Sequence, residues 1–367
     1  PGTDIITYDA SSQSGMLKAN QEAFGEKGIP QYHFDKADVI LSFGADFLGT
    51  WLSPAEYTAQ YVSRRDPGQQ EPGMSKHFQF ETGMSVTGSN ADVRIRIKPS
   101  QERLILAGLY NILASRLGAP TYLAPKSPIP LDELTEDLLA SRGSSLVVSG
   151  SNDEACQQMV NQINLLLDNY NETIYAGPVL KIREGMEEDM IRLVEDMQGG
   201  RVDALICYNV NPAYDYPNAE AFVRGLSNVD LKISFAGQPD ETSDLLEFVC
   251  PDSHYLESWN DAEPKTGLFS LAQPVIQTLF DTRQVQDTLL AWSGEDGVFH
   301  SFVKAYWQEN LFGKQILYGS TEDFWNHSLQ NGVLKSMEIL HIDGPEPRVV
   351  DLRGIMEATG ISGAADD

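Results

Sequence analysis

Short apolar runs of strand length alternate along this chain with stretches whose apolar residues return every three or four positions. The strand-like runs are Asp4 to Tyr8, Val39 to Phe43, Val93 to Ile97, Ser145 to Val148, Thr173 to Tyr175, Ala204 to Tyr208 and Lys232 to Phe235. Helical periodicity marks Glu102 to Ser115, Glu154 to Asn169, Met186 to Met197 and Asn218 to Leu226. Apolar strands covered on both faces by such helices form parallel sheets, so the rhythm predicts a doubly wound, mostly parallel α/β fold.

Two segments, ADVILSFGADF (37–47) and VDALICYNVNP (202–212), each set an acidic residue before an apolar strand and a small polar loop after it. A plan stated twice and a chance likeness both account for this. The Pro-rich stretch 119–130 would join two related Rossmann-like halves, which sets expected domains at 1–131 and 132–290. From 291 to 367 the rhythm gives way to a helical, aromatic-rich extension, with helices expected at Phe302 to Glu309 and Asp323 to Leu329. The final GISGAADD is expected to fray, because small and acidic residues cannot offset the entropy of ordering.

The balance of 26 basic against 53 acidic residues gives a net charge of -27. Such a surface repels polyphosphate, which argues against nucleic-acid binding; it suits basic partners, or more simply is a solvated surface that favours solubility. No apolar run approaches the roughly 20 residues of a membrane helix, and PGTDIITYDA has neither the basic nor the apolar region of an export signal. Opening on Pro1 without Met, the chain is expected to be an excised or processed segment. Its cysteines, Cys156, Cys207 and Cys250, are odd in number and far apart, so neither a disulfide framework nor an iron-sulfur cluster is expected within it.

Ligands of open α/β sheets lie beyond the carboxyl ends of the strands, which points to the loops after Phe43 and Tyr208. Gly44 there allows either close backbone approach to a ligand or a plain tight turn. Asn209, Asn211 and Pro212 offer amides for a polar ring edge, or an ordinary Asn-Pro turn. Ser85, Thr87, Ser89, Asn90 and Asp92 form a polar loop before Arg94, Arg96 and Lys98, whose alternation sets three cations on one strand face. That face could hold a phosphate, but in so acidic a chain pairing with carboxylates is favoured, as it is for Arg64 and Arg65. His254, Glu257 and Asp261 would make a metal or acid-base set, or else leave a neutral His oriented by an acid. The other histidines, His33, His77, His300, His327 and His341, are scattered, so no convincing ligand pair forms and no metal site is expected. No P-loop, GxGxxG or nucleophile elbow occurs, and His254 is the one candidate for a local catalytic acid or base.

In order along the chain, ADVILSFGADFLGTWLSP, MSVTGSNADVRIRIKPSQE, GSSLVVSGS, NVNPAYDYP and PDETSDLLEFVCPDSHYLESWNDAEPKTGLFSLAQP resemble the molybdopterin oxidoreductase superfamily, which includes dimethyl sulfoxide reductase and polysulfide reductase. FDKADVILSFGADFLGTWLSP and HYLESWND look closest to the fused molybdopterin-like and iron-sulfur subunit of bacterial alternative complex III. The resemblance runs from about residue 1 to 335. It implies two homologous α/β domains that grip a bis-pterin guanine dinucleotide. By position, Gly44, Ala45, Asp46, Asn209, Asn211 and Pro212 fall in nucleotide-gripping loops, and His254, Glu257 and Gly267 in a late cofactor-facing motif. The chain departs from the enzymes there: where they carry Glu-Gly-Arg it has Lys265, Thr266, Gly267 and Leu268, without the acid or the guanidinium.

The implied protein is a degenerate cofactor scaffold without its own molybdenum, in a respiratory quinol-oxidising electron-transfer complex. Its implied partners are a membrane quinol-oxidising subunit and cytochrome c subunits, on the periplasmic side of the inner membrane. Iron-sulfur clusters would belong to other parts of the full-length chain. An active bis-pterin molybdenum oxidoreductase and a non-redox α/β interaction protein are the competing expectations.

Overall fold

A computed structural model describes residues 2–66, 68, 73–295, 297–337 and 344–363. The chain forms two compact units. The first comprises Gln13–Arg183 and Ile342–Asp367, the second Pro1–Ser12 and Glu184–His341.

In the first unit, helix α1 (Ser14–Phe24) leads into strands β1 (Ile29–Tyr32) and β2 (Val39–Phe43). Helix α2 (Pro54–Ser63), strand β3 (Lys76–Glu81), the short helix α3 (Val86–Ser89) and strand β4 (Val93–Arg96) follow. Helices α4 (Glu102–Leu117) and α5 (Asp132–Ala140), strand β5 (Ser145–Ser149), helix α6 (Glu154–Leu166) and strand β6 (Ile174–Leu180) complete the main run. The sheet is parallel in the order β4-β3-β2-β5, so the chain reverses direction of travel between β2 and β5. All five residues of β2 are buried, as a central parallel strand requires. Leu41, Phe43, Phe80 and Val147 pack with Leu109 and Leu113 of α4, Met159 and Ile163 of α6, and Leu352 and Met356.

The edge strand β5 is protected by Asn164 of α6, whose side chain accepts from Val147 N at 3.1 Å and donates to Val147 O at 2.8 Å. Pairing of β5 with β2 puts residues on both sides of the expected 131/132 boundary into one sheet. The expected 290/291 boundary likewise falls within the second unit. The expected strand at Thr173 to Tyr175 is β6, but it pairs antiparallel with β1 and is not a member of the parallel sheet.

The second unit contains helix α7 (Glu187–Gln198), strand β7 (Ala204–Cys207), helices α8 (Pro212–Asp215) and α9 (Ala219–Leu226), and strands β8 (Leu231–Ser234) and β9 (Phe248–Val249). Strands β7, β8 and β9 form a second parallel sheet in chain order. Leu205 and Cys207 of β7 face α7 and α9, packing with Met190, Val194, Met197, Phe222 and Leu226. An antiparallel set follows: β10 (Asn260–Lys265), β11 (Leu268–Ala272) and, after helices α10 (Val285–Ser293), α11 (Phe299–Tyr306) and α12 (Thr321–Asn331), strand β12 (Val333–Lys335). Trp307, Phe324 and Trp325 form an aromatic core behind it, which explains the aromatic-rich extension.

The fold is thus α/β with two parallel sheets, and the segments 37–47 and 202–212 supply the first strand of each. The expected strand at Asp4 to Tyr8 does not form; the run carries no strand pairing, and Tyr8 instead packs edge-on against Tyr216. A last helix, α13 (Arg353–Gly363), carries the first four residues of GISGAADD, expected to fray, while 364–367 lie outside the described residues. His341 lies outside them too. Among the described residues no helix is long and apolar enough to cross a membrane.

Candidate functional site

Beyond the carboxyl ends of β7 and β8, the loops Tyr208–Asn211 and Phe235–Asp240 open into two adjoining cavities that share Asn209, Gly237 and Gln238. Asn209 sits at φ 53°, a left-handed conformation that Asn tolerates better than most residues, and this turns the chain sharply out of β7. The smaller cavity, about 520 Å³, is polar and lined by Tyr8, Asp9, Asn209, Asp215 and Asp240. Burial, reinforced by the Asp215 carboxylate, pushes the Tyr8 phenol well above its ordinary pKa. The Tyr8 hydroxyl is buried, with the Asp215 carboxylate as its polar neighbour. Cys207 closes the floor of the cavity; burial pushes its thiol up to about 11, so it is neutral and a poor nucleophile at pH 7. The larger cavity, about 900 Å³, is lined more by apolar groups, among them Tyr208, Tyr255, Trp259, Ile276 and Phe280.

The expected site residues divide sharply. Asn209 faces both cavities. Asn211 borders the smaller one, but its amide is already committed. Its oxygen accepts from Thr242 N at 3.1 Å and Thr242 Oγ at 2.7 Å, and its nitrogen donates to Glu241 Oε2 at 2.8 Å. Pro212 is the buried first residue of α8, where its missing N–H costs nothing. Asn211→Ala is therefore expected to lower the unfolding free energy by about 2 kcal/mol, read by urea denaturation. An unchanged midpoint would instead mean that the amide is free for a ligand.

His254 and Glu257 border the larger cavity but do not pair through the imidazole. Glu257 accepts from the backbone of His254 at 3.0 Å and of Leu279 at 2.9 Å, while His254 Nδ1 accepts from Leu256 N at 3.3 Å. Asp261 accepts from the Trp307 indole at 2.9 Å. The expected metal or acid-base set thus dissolves into turn and core contacts, and no cluster of three metal-ligating side chains exists among the described residues. Gly267 is the φ 73° corner of the β10–β11 hairpin and borders neither cavity; its N–H donates to Glu263 and its carbonyl accepts from Ser336 N.

Gly44 and Asp46 lie in the first unit, at the reversal point between β2 and β5. Gly44 adopts φ 60°, and its N–H reaches Phe80 O. A Cβ at Gly150, in the facing loop, would come within 2.6 Å of Gly44 O, so the two loops are in backbone contact. Asp46 accepts from Thr87 N at 3.0 Å and Thr87 Oγ at 2.8 Å, which ties it to α3. The first turn of α1 sits on the loop after β5: Gly15 N donates to Asn152 Oδ1 at 2.9 Å, and a Cβ at Gly15 would collide with the Asn152 carbonyl. At this reversal point the loop after β5 is thus held against both the loop after β2 and the first turn of α1. Of the strand-borne cations, Arg94 pairs with Glu81, while Arg64 pairs with Asp38 and Arg65 with Asp92. The pairing reading is thus correct for all three, and Arg96 and Lys98 stand exposed.

The residues that sequence reasoning missed are Tyr8 and Asp215. Tyr8 was hidden in an apparent strand, and Asp215 in a turn with no motif of its own.

No family model matches the chain. It is 26% identical over 348 residues to the menaquinone reductase, molybdopterin-binding-like subunit of Nitratidesulfovibrio vulgaris, covering 82% of this chain and 49% of that protein. The chain thus spans about half the length of this curated relative. The fold is similar to acetylene hydratase from Pelobacter acetylenicus, with TM-score 0.53 and 11% identity, over 94% of this chain and 57% of that one. Sequence relative and shared fold together support a molybdopterin oxidoreductase-like superfamily for this chain, in agreement with the resemblance of its motifs.

Proposed function

We propose that this chain is part of a molybdopterin-oxidoreductase-like subunit of a respiratory, membrane-associated electron-transfer complex, and that it serves there as a scaffold without its own molybdenum centre. The similarity to a menaquinone reductase subunit supports the respiratory setting. The observation that supports the scaffold reading is the packing of the loop after β5 against both the loop after β2 and the first turn of α1, at the end of the first sheet where open α/β sheets take their ligands. A bis-pterin guanine dinucleotide does not fit these residues: Asn211 and Asp46 are bonded internally, Gly267 is a hairpin corner, and Lys265 to Leu268 lack an acid and a guanidinium. In this reading the molybdopterin-like and iron-sulfur subunit of alternative complex III is a counterpart of this chain. A quinol-oxidising membrane subunit and cytochrome c subunits are the partners, iron-sulfur clusters sit in other parts of the full-length protein, and the complex faces the periplasm.

The test is elemental analysis for molybdenum and tungsten, with fluorescence assay of oxidised pterin, on the full-length protein from its native membranes. Neither metal nor pterin is the expected result; stoichiometric amounts of both would overturn the scaffold reading. The polar cavity lined by Tyr8 and Asp215 favours the competing reading, an active molybdenum oxidoreductase that keeps a ligand there. His254→Ala would then abolish turnover, whereas a scaffold keeps its electron-transfer rate.

A further inference from the structure

A parallel sheet is ordinarily covered by helices on both faces, because its strands leave apolar side chains on each. The second sheet departs from this. Register aligns Ala204 with Leu231 and Ile206 with Ile233 and Phe248, so these five residues share one face. The opposite face is covered by α7 and α9. Among the described residues the cover on the first face is α10, whose Val285 packs on Ile233 and Phe235 and whose Trp292 ring lies 5.7 Å from that of Phe235. The rest of the face is open: Ile206 and Phe248, which flank Ile233 in the same row, are 47% and 50% exposed, and Leu231, one row nearer the amino end, is 40% exposed.

Each strand that borders this open part is preceded by an acid: Asp203 before β7, Asp230 before β8 and Glu247 before β9. All three are exposed, and their carboxylates make no hydrogen bond or ion pair among the described residues. The second unit as a whole carries 28 acidic and 9 basic residues.

We propose that the open part of this face is the docking site for one amphipathic helix of a partner subunit. That helix lies beside α10, with an aliphatic stripe on Leu231, Ile206 and Phe248 and with Lys or Arg flanks on Asp203, Asp230 and Glu247. Among the described residues one face holds two helices and the other one, and parallel sheets are ordinarily covered on both faces. A second copy of this chain is a poor occupant, since it would bring the same acids against one another. The inference rests on the reading of this chain as part of a multi-subunit complex.

The experiment is zero-length carbodiimide coupling of the intact complex from native membranes, with the linked peptides identified by mass spectrometry. Links from Asp203, Asp230 or Glu247 to lysines of a partner subunit's helix are expected. Links only to a second copy, or only within the same polypeptide, would overturn the proposal, as would carboxylates that stay unlinked and open to solvent labelling in the complex. Independently, the double variant Ile206→Glu, Phe248→Glu should lower recovery of that partner at least ~10-fold. Ile316→Glu, at an exposed loop position, should not, and thermal unfolding checks that both variants are folded. Full partner recovery with the double variant would sink the docking site yet leave the complex reading standing. A protein that purifies with no partner at all would remove both.

Discussion

Replacing His77 with Gln is expected to remove from the first unit an acid-side loss of stability of roughly 3 kcal/mol. His77 lies on β3, where alternation puts it on one buried face with Gln79 and Glu81. Gln79 donates to Glu81 Oε2 at 3.2 Å, which leaves its oxygen to accept from His77 Nε2, also at 3.2 Å. The proton is thereby assigned to Nε2, and Nδ1 faces the Tyr61 hydroxyl at 3.1 Å. Burial pushes the imidazole down from 6.5 to about 4, against the opposing pull of the Gln79 hydrogen bond and with a smaller push from Arg65. Between these values the unfolded chain takes up a proton that the folded chain refuses. Stability is thus present in full above pH 6.5 and is lost as pH falls toward 4. Gln keeps hydrogen-bonding capacity at the site but cannot titrate. Urea denaturation of the 1–367 chain across this range, with amide exchange of β2 and β3 to isolate the first unit, measures the effect. An unchanged acid limb in His77→Gln would show that the imidazole is not held neutral.

The second large effect has the opposite sign. Glu102, in the first turn of α4, accepts from Ser149 Oγ at 2.6 Å, and burial raises its carboxyl from 4.5 to about 7 despite that hydrogen bond. The folded state here binds the proton more tightly than the unfolded state. Stability is therefore full below pH 4.5 and declines as pH rises to 7. Glu102→Gln retains the acceptor for Ser149 and is expected to gain about 2 to 3 kcal/mol at pH 8, with little change at pH 4. Because both residues belong to the first unit, their slopes oppose one another between pH 4.5 and 6.5. His77→Gln should leave stability falling with pH across that window, and Glu102→Gln should leave it rising. Glu81 and Asp92 do not blur the comparison. Burial would raise both carboxyls, but Ser85 and Arg94 at Glu81, and Arg65 at Asp92, hold them below their ordinary values of 4.5 and 3.8, so their loss comes at lower pH. If both variants kept the wild-type profile, neither group would be perturbed by the fold.

The same residues show why the sheets were only partly legible. Strands β2, β5 and β7 are legible because their apolar runs are nearly continuous, as strands buried in parallel sheets tend to be. Strand β3, KHFQFE, was missed although five of its six residues are buried. Its alternate residues, His77, Gln79 and Glu81, are polar and satisfied only by each other and by Tyr61, Ser85 and Arg94, which no local window reveals. Strand β6 was located at its first residues but assigned to the wrong kind of sheet, because pairing direction belongs to the partner strand and not to the run itself.

The site was legible in place but not in chemistry. The loop after β7 was expected to matter, and Asn209 does border the cavities, since strand ends in α/β sheets follow from the βα rhythm. Residue order alone determined the α/β class, the acidic surface and the likeness to a cofactor-binding superfamily, because periodicity, charge and motif are properties of neighbouring residues. Only the folded chain decided what those loops can still bind. Gly15 meets Asn152, and Asn211 meets Thr242, across long stretches of sequence. A polar group's freedom depends on which distant partner reaches it first, and that is a property of the tertiary structure.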